Sequence, residues 1–196
     1  MFYVDKLTGR EYVPQTGDAL NWHWETAVPG WVIAEFEGDD YTHTSVVVVD
    51  VDGVAWSIGA EASGVTPTKL SDIDLDANTI EVLRPNFNYG PDAPPEGWQA
   101  ALTKQAFSDC GVLEYGYYDL LANMWRQTLD PQVGEDPPEW PKKVICAMYV
   151  VLLWRRFRHW RGCPDILASS ISPGNLDDAA RRGAWLKVQC NRLVRV

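Results

Sequence analysis

An α+β fold, with an antiparallel sheet packed against helices, is the class this sequence predicts, and three observations point to it. Strand-like segments fill the first half of the chain and helical patterns the second, which disfavours a regular βαβ alternation. The apolar run His43–Val49 is followed by Asp52-Gly53 and a second apolar run, the pattern of a hairpin and therefore of antiparallel pairing. At 196 residues, 46% of them hydrophobic, the chain is long enough to bury a core, and one domain spanning 1–196 is expected.

The elements follow in order. After a polar opening come GDAL (Gly17 to Leu20) and WVIAEFEG. The run from His43 to Val49 is β-branched and apolar on both alternating faces, so it reads as a strand covered on both sides. Val54 to Ile58 reads as its returning partner, and TIEVLRP (Thr79 to Pro85) as a further strand. A proline-rich loop leads into helical patterns at Trp98–Phe107 and Tyr117–Trp125. A second such loop, LDPQVGEDPPEWP, precedes a helix that opens near Cys146, and WLKVQCNRLVRV alternates as a closing strand.

Composition excludes several function classes. A formal charge of −10 argues against a broad footprint on nucleic acid or anionic lipid, both of which reward clustered cations. The one basic cluster, Arg155, Arg156, Arg158 and Arg161, follows an apolar helix, where cations complement the negative helix end. No apolar run reaches the ~18 residues of a membrane-spanning helix. The first residues lack the basic-then-apolar order of a secretory signal, so the chain is expected to act in the cytoplasm or to be phage-encoded and carried by lysis or a virion. Cys110, Cys146, Cys163 and Cys190 are scattered without a C-x-x-C pair, which indicates neither a zinc knuckle nor a disulfide framework. An EF-hand reading of Asp50, Asp52 and Glu61 fails, because Val54 and Ala55 stand where a ligand and a glycine are needed.

The chemistry centres on KKVICAMYVVLLWRRF. Cys146 is either a small apolar filler of a core helix or a reactive thiol. Pro141 breaks any preceding helix, which would put Lys142 and Lys143 at the helix entrance and Cys146 in its first turn, where free N–H groups and the positive helix end favour thiolate. Acyl transfer also needs a proton donor for the leaving group, normally histidine. His159 lies on the same predicted helix, roughly 20 Å away at about 1.5 Å per residue, and is out of reach. His23 sits among tryptophans on a loop, suited to surface or packing duty. His43 opens the most apolar strand, as a structural histidine or as the base.

The hairpin suggests a third partner. If Val51-Asp52-Gly53 is a three-residue loop, the register runs back to set His43 opposite Glu61. A two-residue Asp-Gly turn would place Glu61 across from Thr44, on the other face. The first is preferred, because it explains a carboxylate directly after WSIGA.

GDAL, YTHTSVVVV, GAEASGV, ICAMYV and SPGNL (Ser172 to Leu176), in that order, resemble the circularly permuted branch of the NlpC-type papain-like superfamily, which includes YiiX-like proteins and, more remotely, lecithin:retinol acyltransferase-like enzymes. The resemblance covers about Gly17 to Leu176. It implies a papain-like fold with Cys146 as nucleophile, His43 as base and Glu61 as the group that orients it. It also implies a thiol hydrolase or transferase acting on amide or ester bonds of peptidoglycan peptides or lipids, with no cofactor or metal; an amidase or peptidase on peptide or peptidoglycan fragments is expected, the alternatives being a thioesterase or acyltransferase on lipid-like substrates and an inactive binding module. Ala147, where the family often has a small polar residue, and Thr44-Ser45 depart from the pattern. The backbone N–H of Cys146 would help hold the oxyanion. A second donor is unassigned: Tyr115, Tyr117 and Tyr118 serve either that purpose or core packing. Ten tryptophans suit core and loop anchors better than sugar stacking. The acidic loop Gly134–Trp140 reads as a lid or as an ordinary connection.

Overall fold

The computed structural model describes residues 3–5, 8–23, 41–73, 80–86, 94–116, 139–158, 171–181, 185–188 and 193–195. The Tyr117–Trp125 pattern, WVIAEFEG, His159, Arg161, Cys163, Cys190, Tyr117, Tyr118 and residues 134–138 lie outside them.

The strands are β1 (Tyr3–Asp5), β2 (Glu11–Tyr12), β3 (Ala19–His23), β4 (Tyr41–Val49), β5 (Ala55–Glu61), β6 (Gly64–Lys69), β7 (Ile80–Pro85), β8 (Glu114–Tyr115), β9 (Lys143–Val144), β10 (Trp185–Val188) and β11 (Leu193–Arg195). The helices are α1 (Trp98–Asp109), α2 (Cys146–Arg158) and α3 (Pro173–Arg181). Six strands form one sheet in the order β10-β7-β3-β4-β5-β6, with every neighbouring pair antiparallel. The predicted α+β class is thus the observed one. The expected single closing strand is instead two: β10 joins the large sheet, whereas β11 pairs with β1 in a separate small sheet. His23 ends β3 rather than lying on a loop.

The period-2 pattern of β4 is used on both faces, as its sequence requires. Val46 and Val48 pack with Ala19, Ile58 and Leu83 against Leu102 and Ala106 of α1, Val150 and Trp154 of α2, and Leu176 of α3. Val47 points the other way and packs with Leu20, Ile80 and Val82 against Tyr3 and Tyr12. The start of α3 is fixed by a reciprocal cap. The Asn175 N–H donates to Ser172 Oγ at 3.1 Å, and Asn175 Oδ1 accepts from the Ser172 N–H at 2.9 Å. Asn21 ties this cap to the sheet by donating to the Pro173 carbonyl at 3.2 Å, while its Oδ1 accepts from Thr44 Oγ1 at 2.7 Å.

Asp18 of GDAL lies buried at the entry to the interior strand β3 and ties it to its neighbours. Its carboxylate accepts from Arg84 Nε and Nη2, both at 2.9 Å, and from Tyr12 Oη and the Gln15 N–H, both at 3.0 Å. Its backbone carbonyl accepts from the Val47 N–H at 2.7 Å, and the Gly17 N–H donates to the Val47 carbonyl at 2.7 Å. Burial pushes the Asp18 carboxyl upward, and Arg84 pulls against it. GDAL is therefore a structural corner that carries the chain from β2 into β3.

Candidate active site

The register of the β4–β5 hairpin decides which side chains meet. The Asp50 N–H donates to the Val54 carbonyl and the Gly53 N–H to the Asp50 carbonyl, both at 3.0 Å, which makes Val51-Asp52-Gly53 the three-residue loop. Gly53 takes the left-handed conformation this loop needs, with φ of 75°. Asp50 supports the turn from its side chain, accepting from the Val54 N–H at 2.8 Å and from Trp56 Nε1 at 2.8 Å. The Trp56 bond, with help from the backbone N–H groups, lowers the Asp50 carboxyl below its ordinary value.

The ladder that begins at Val49 and Ala55 ends at the Val46–Ile58 pair. The same count carried past its end sets His43 against Glu61, and His43 Nε2 lies 3.0 Å from Glu61 Oε1. The N–H direction is poorly aimed at the oxygen, so the contact is better described as a close ion pair than as an aligned hydrogen bond. Side-chain exposure is 18% at His43 and 52% at Glu61, so the carboxylate reaches water while the ring is mostly covered.

Cys146 arrives at this end of the hairpin from the other half of the chain. It is buried, it is the first residue of α2, and its thiol stands close enough to the His43 imidazole to favour the ring's charged form. The helix opens where the Tyr149 N–H donates to the Ile145 carbonyl at 2.9 Å, which makes Ile145 the N-cap. An isoleucine side chain has no acceptor, so the first N–H groups of α2 receive no cap from it. Lys142 and Lys143 are not in a helix entrance as expected. Lys143 belongs to β9, which pairs in parallel with β8, and its ammonium lies 3.1 Å from Glu114 Oε2.

The electrostatics follow from these neighbours. Burial alone would lower the His43 pKa, but the neighbouring Cys146 and Glu61, which favour the charged ring, outweigh it and raise the group to about 10. The same ring lowers the Glu61 carboxyl through its contact, with burial opposing. Glu61→Gln is therefore expected to move the His43 titration midpoint down from about 10, because the lost carboxylate favoured the charged ring. The imidazole Cε1 proton resonance followed against pH measures this, and an unmoved midpoint would make Glu61 a bystander.

Other sequence expectations resolve as packing. The His23 ring lies 4.6 Å from that of Tyr41, and Tyr115 packs against the helix-side core. Arg156, in the last turn of α2, covers the Trp140 ring at 5.1 Å. Sequence reasoning missed the serine pair behind the histidine: Ser57 Oγ donates to Ser45 Oγ at 2.7 Å, and Trp22 Nε1 donates to Ser45 Oγ at 3.3 Å. The signal was present, since Ser45 is a polar residue two positions from His43, on the same face of the strand. Asp109 was missed as well; buried between α1 and α2, it accepts from Gln105 Nε2, Trp140 Nε1 and Tyr149 Oη at 2.7, 3.0 and 3.2 Å. An open cavity of about 480 Å³ beside β9 is lined by Leu113, Trp140 and Lys142 among others, and by none of Cys146, His43 and Glu61.

Fold and site together define an α+β protein with an antiparallel sheet on helices, in which a helix-start cysteine, a strand histidine and a strand carboxylate form a chain of contacts. Among solved structures, the chain is similar to the metalloprotein YiiX of Escherichia coli O157:H7 (DUF1105), with a TM-score of 0.53 and 15% identity over 93% of this chain and 89% of that one. The fold is YiiX-like. No family model and no curated protein matches the sequence. No described helix is long and apolar enough to cross a membrane.

Proposed function

We propose that the chain is a cysteine hydrolase of the amidase or peptidase type, acting on peptides such as those of peptidoglycan through Cys146, His43 and Glu61. The observation that carries this reading is the placement of one imidazole between a sulfur and a carboxylate. The resemblance to NlpC-type papain-like enzymes supports it with the same three residues in the same roles.

In the proposed reaction the Cys146 thiolate attacks the carbonyl carbon, forming a C–S bond and an oxyanion. The N–H groups at the start of α2 face that charge, and one well-aimed donor of this kind can contribute ~3 kcal/mol. The His43 imidazolium gives its proton to the leaving nitrogen as the C–N bond breaks. His43 then takes a proton from water, which attacks the thioester and frees the sulfur. Glu61 holds the ring and stabilises its charged form. Activity is expected to fall on the alkaline side near pH 10, as His43 loses the proton it must donate.

The name of the structural neighbour raises a metal centre as another use of such residues. The donor set here does not fit one. Among the described residues no three His, Cys, Asp or Glu side chains are placed to hold an ion. The test of the proposed function is a peptidoglycan digest run beside a panel of acyl esters, with release of amines and of acids followed separately. Amine release that is lost in Cys146→Ala supports the amidase, ester cleavage alone replaces it with a thioesterase or acyltransferase, and no turnover of either class counts against both.

A further inference from the structure

The residue across from Ser45 on the neighbouring strand, diagonal to the histidine, has no side chain. A Cβ added to Gly59 of β5 would lie 3.1 Å from His43 Nε2, 3.4 Å from Cε1 and 3.0 Å from Ser45 Cβ. The ring thus rests directly on the β5 backbone. On another side it meets Trp22, whose ring centroid is 6.4 Å away at 49°. We propose that Gly59 is a positioning residue for the proposed reaction: its bare backbone is the seat that lets one imidazole reach Glu61 and Cys146 together. This deepens the functional reading above and rests on it for its catalytic meaning, though not for its geometry.

The physical argument is about which atom yields when that space is filled. Ser45 is 2% exposed and its hydroxyl is held by Ser57 at 2.7 Å and by Trp22 at 3.3 Å, so Ser45 Cβ is fixed within β4. The imidazole turns on its own side-chain torsions and is the softer neighbour. A methyl group at position 59 therefore lifts the ring off the strand by a few tenths of an ångström, at Nε2, the atom committed to Glu61. The titratable groups facing the ring among the described residues are Glu61 from β5 and Cys146 from α2, and the displaced ring loses alignment with both. Each of those contacts favours the charged ring, so its titration moves down.

The test is Gly59→Ala, read by the His43 Cε1 proton resonance against pH and by iodoacetamide labelling of the Cys146 peptide at pH 7. The midpoint is expected to fall from about 10 toward 6.5. Labelling is expected to slow by roughly 10-fold, the scale on which sub-ångström misplacement of a reacting pair acts. A folded variant with both values unchanged overturns the proposal. If Gly59→Ala does not fold, Ser45→Gly combined with Gly59→Ala removes the strand clash and leaves only the ring contact. A folded double variant with a lowered midpoint supports the seat; a wild-type midpoint, or failure of the double variant to fold, places the demand for glycine in packing and overturns it. Neither readout needs a substrate, so a chain that hydrolyses nothing but shows the shift would retire the hydrolase and keep the seat.

Discussion

Replacing Cys146 with alanine is expected to remove turnover of the amide substrate, by on the order of 10⁴-fold or more, while the protein stays folded. The sulfur is the atom that would form the covalent bond, and no other described thiol substitutes for it. Cys110 bonds the Ala106 carbonyl at 3.2 Å, and burial together with the neighbouring Asp109 raises it to about 11. His43→Ala is expected to produce a loss of similar size, and the double variant no more than either alone, since groups that act as one unit do not contribute additively. The same substitution should slow iodoacetamide labelling of Cys146 at pH 7 without loss of far-ultraviolet circular dichroism. Turnover that survives in Cys146→Ala would move the nucleophile elsewhere, and labelling indifferent to His43→Ala would remove the base.

The largest effect on stability is expected at the corner where β2 passes into β3. Arg84→Ala should lower the unfolding free energy by about 3–5 kcal/mol, because it leaves the Asp18 carboxylate buried without its cation. Asp18 is 1% exposed and cannot turn to water, so it will be held protonated or the corner will open. Arg84 also donates to the Val13 carbonyl at 2.8 Å, so the loop before Asp18 loosens with it. Urea denaturation of wild type and variant measures the difference. A change under about 1 kcal/mol, the scale of an exposed pair, would mean the clamp is solvated. Removing both charges with Asp18→Asn and Arg84→Met is expected to be milder than Arg84→Ala alone, since no unpaired charge is left behind.

Much of this was legible in the sequence because the determining forces are local. The alternation of YTHTSVVVV, apolar on both faces, specified a doubly covered strand, and Val46, Val47 and Val48 are all fully buried. The Val51-Asp52-Gly53 turn specified the register, and the register set His43 against Glu61. What was not legible depends on distant partners. Lys143 reads as a helix entrance because Pro141 precedes it, but a two-residue parallel pairing with Glu114 and Tyr115 claims it first. The final segment alternates throughout, and nothing local says that it splits between two sheets. The approach of Cys146 to His43 joins a residue of the helical half to one of the strand half, so periodicity could not show it; the order of motifs in the resemblance supplied it. Gly59 looks like an ordinary strand glycine until the ring above it is placed.

The sheet is completed out of sequence. Strand β7 is made well before its outer neighbour β10, which follows the three described helices. During synthesis the β7 rim therefore stays uncovered until Trp185–Val188 have been made, and the imidazole stands on its hairpin well before Cys146 exists to meet it. Closure of that rim depends on pairing between remote parts of the polypeptide, which slows folding relative to a helical bundle of this size. A nascent chain stalled before β10 is left with a row of unpaired amides and carbonyls along β7, the feature that invites neighbouring polypeptides to stack.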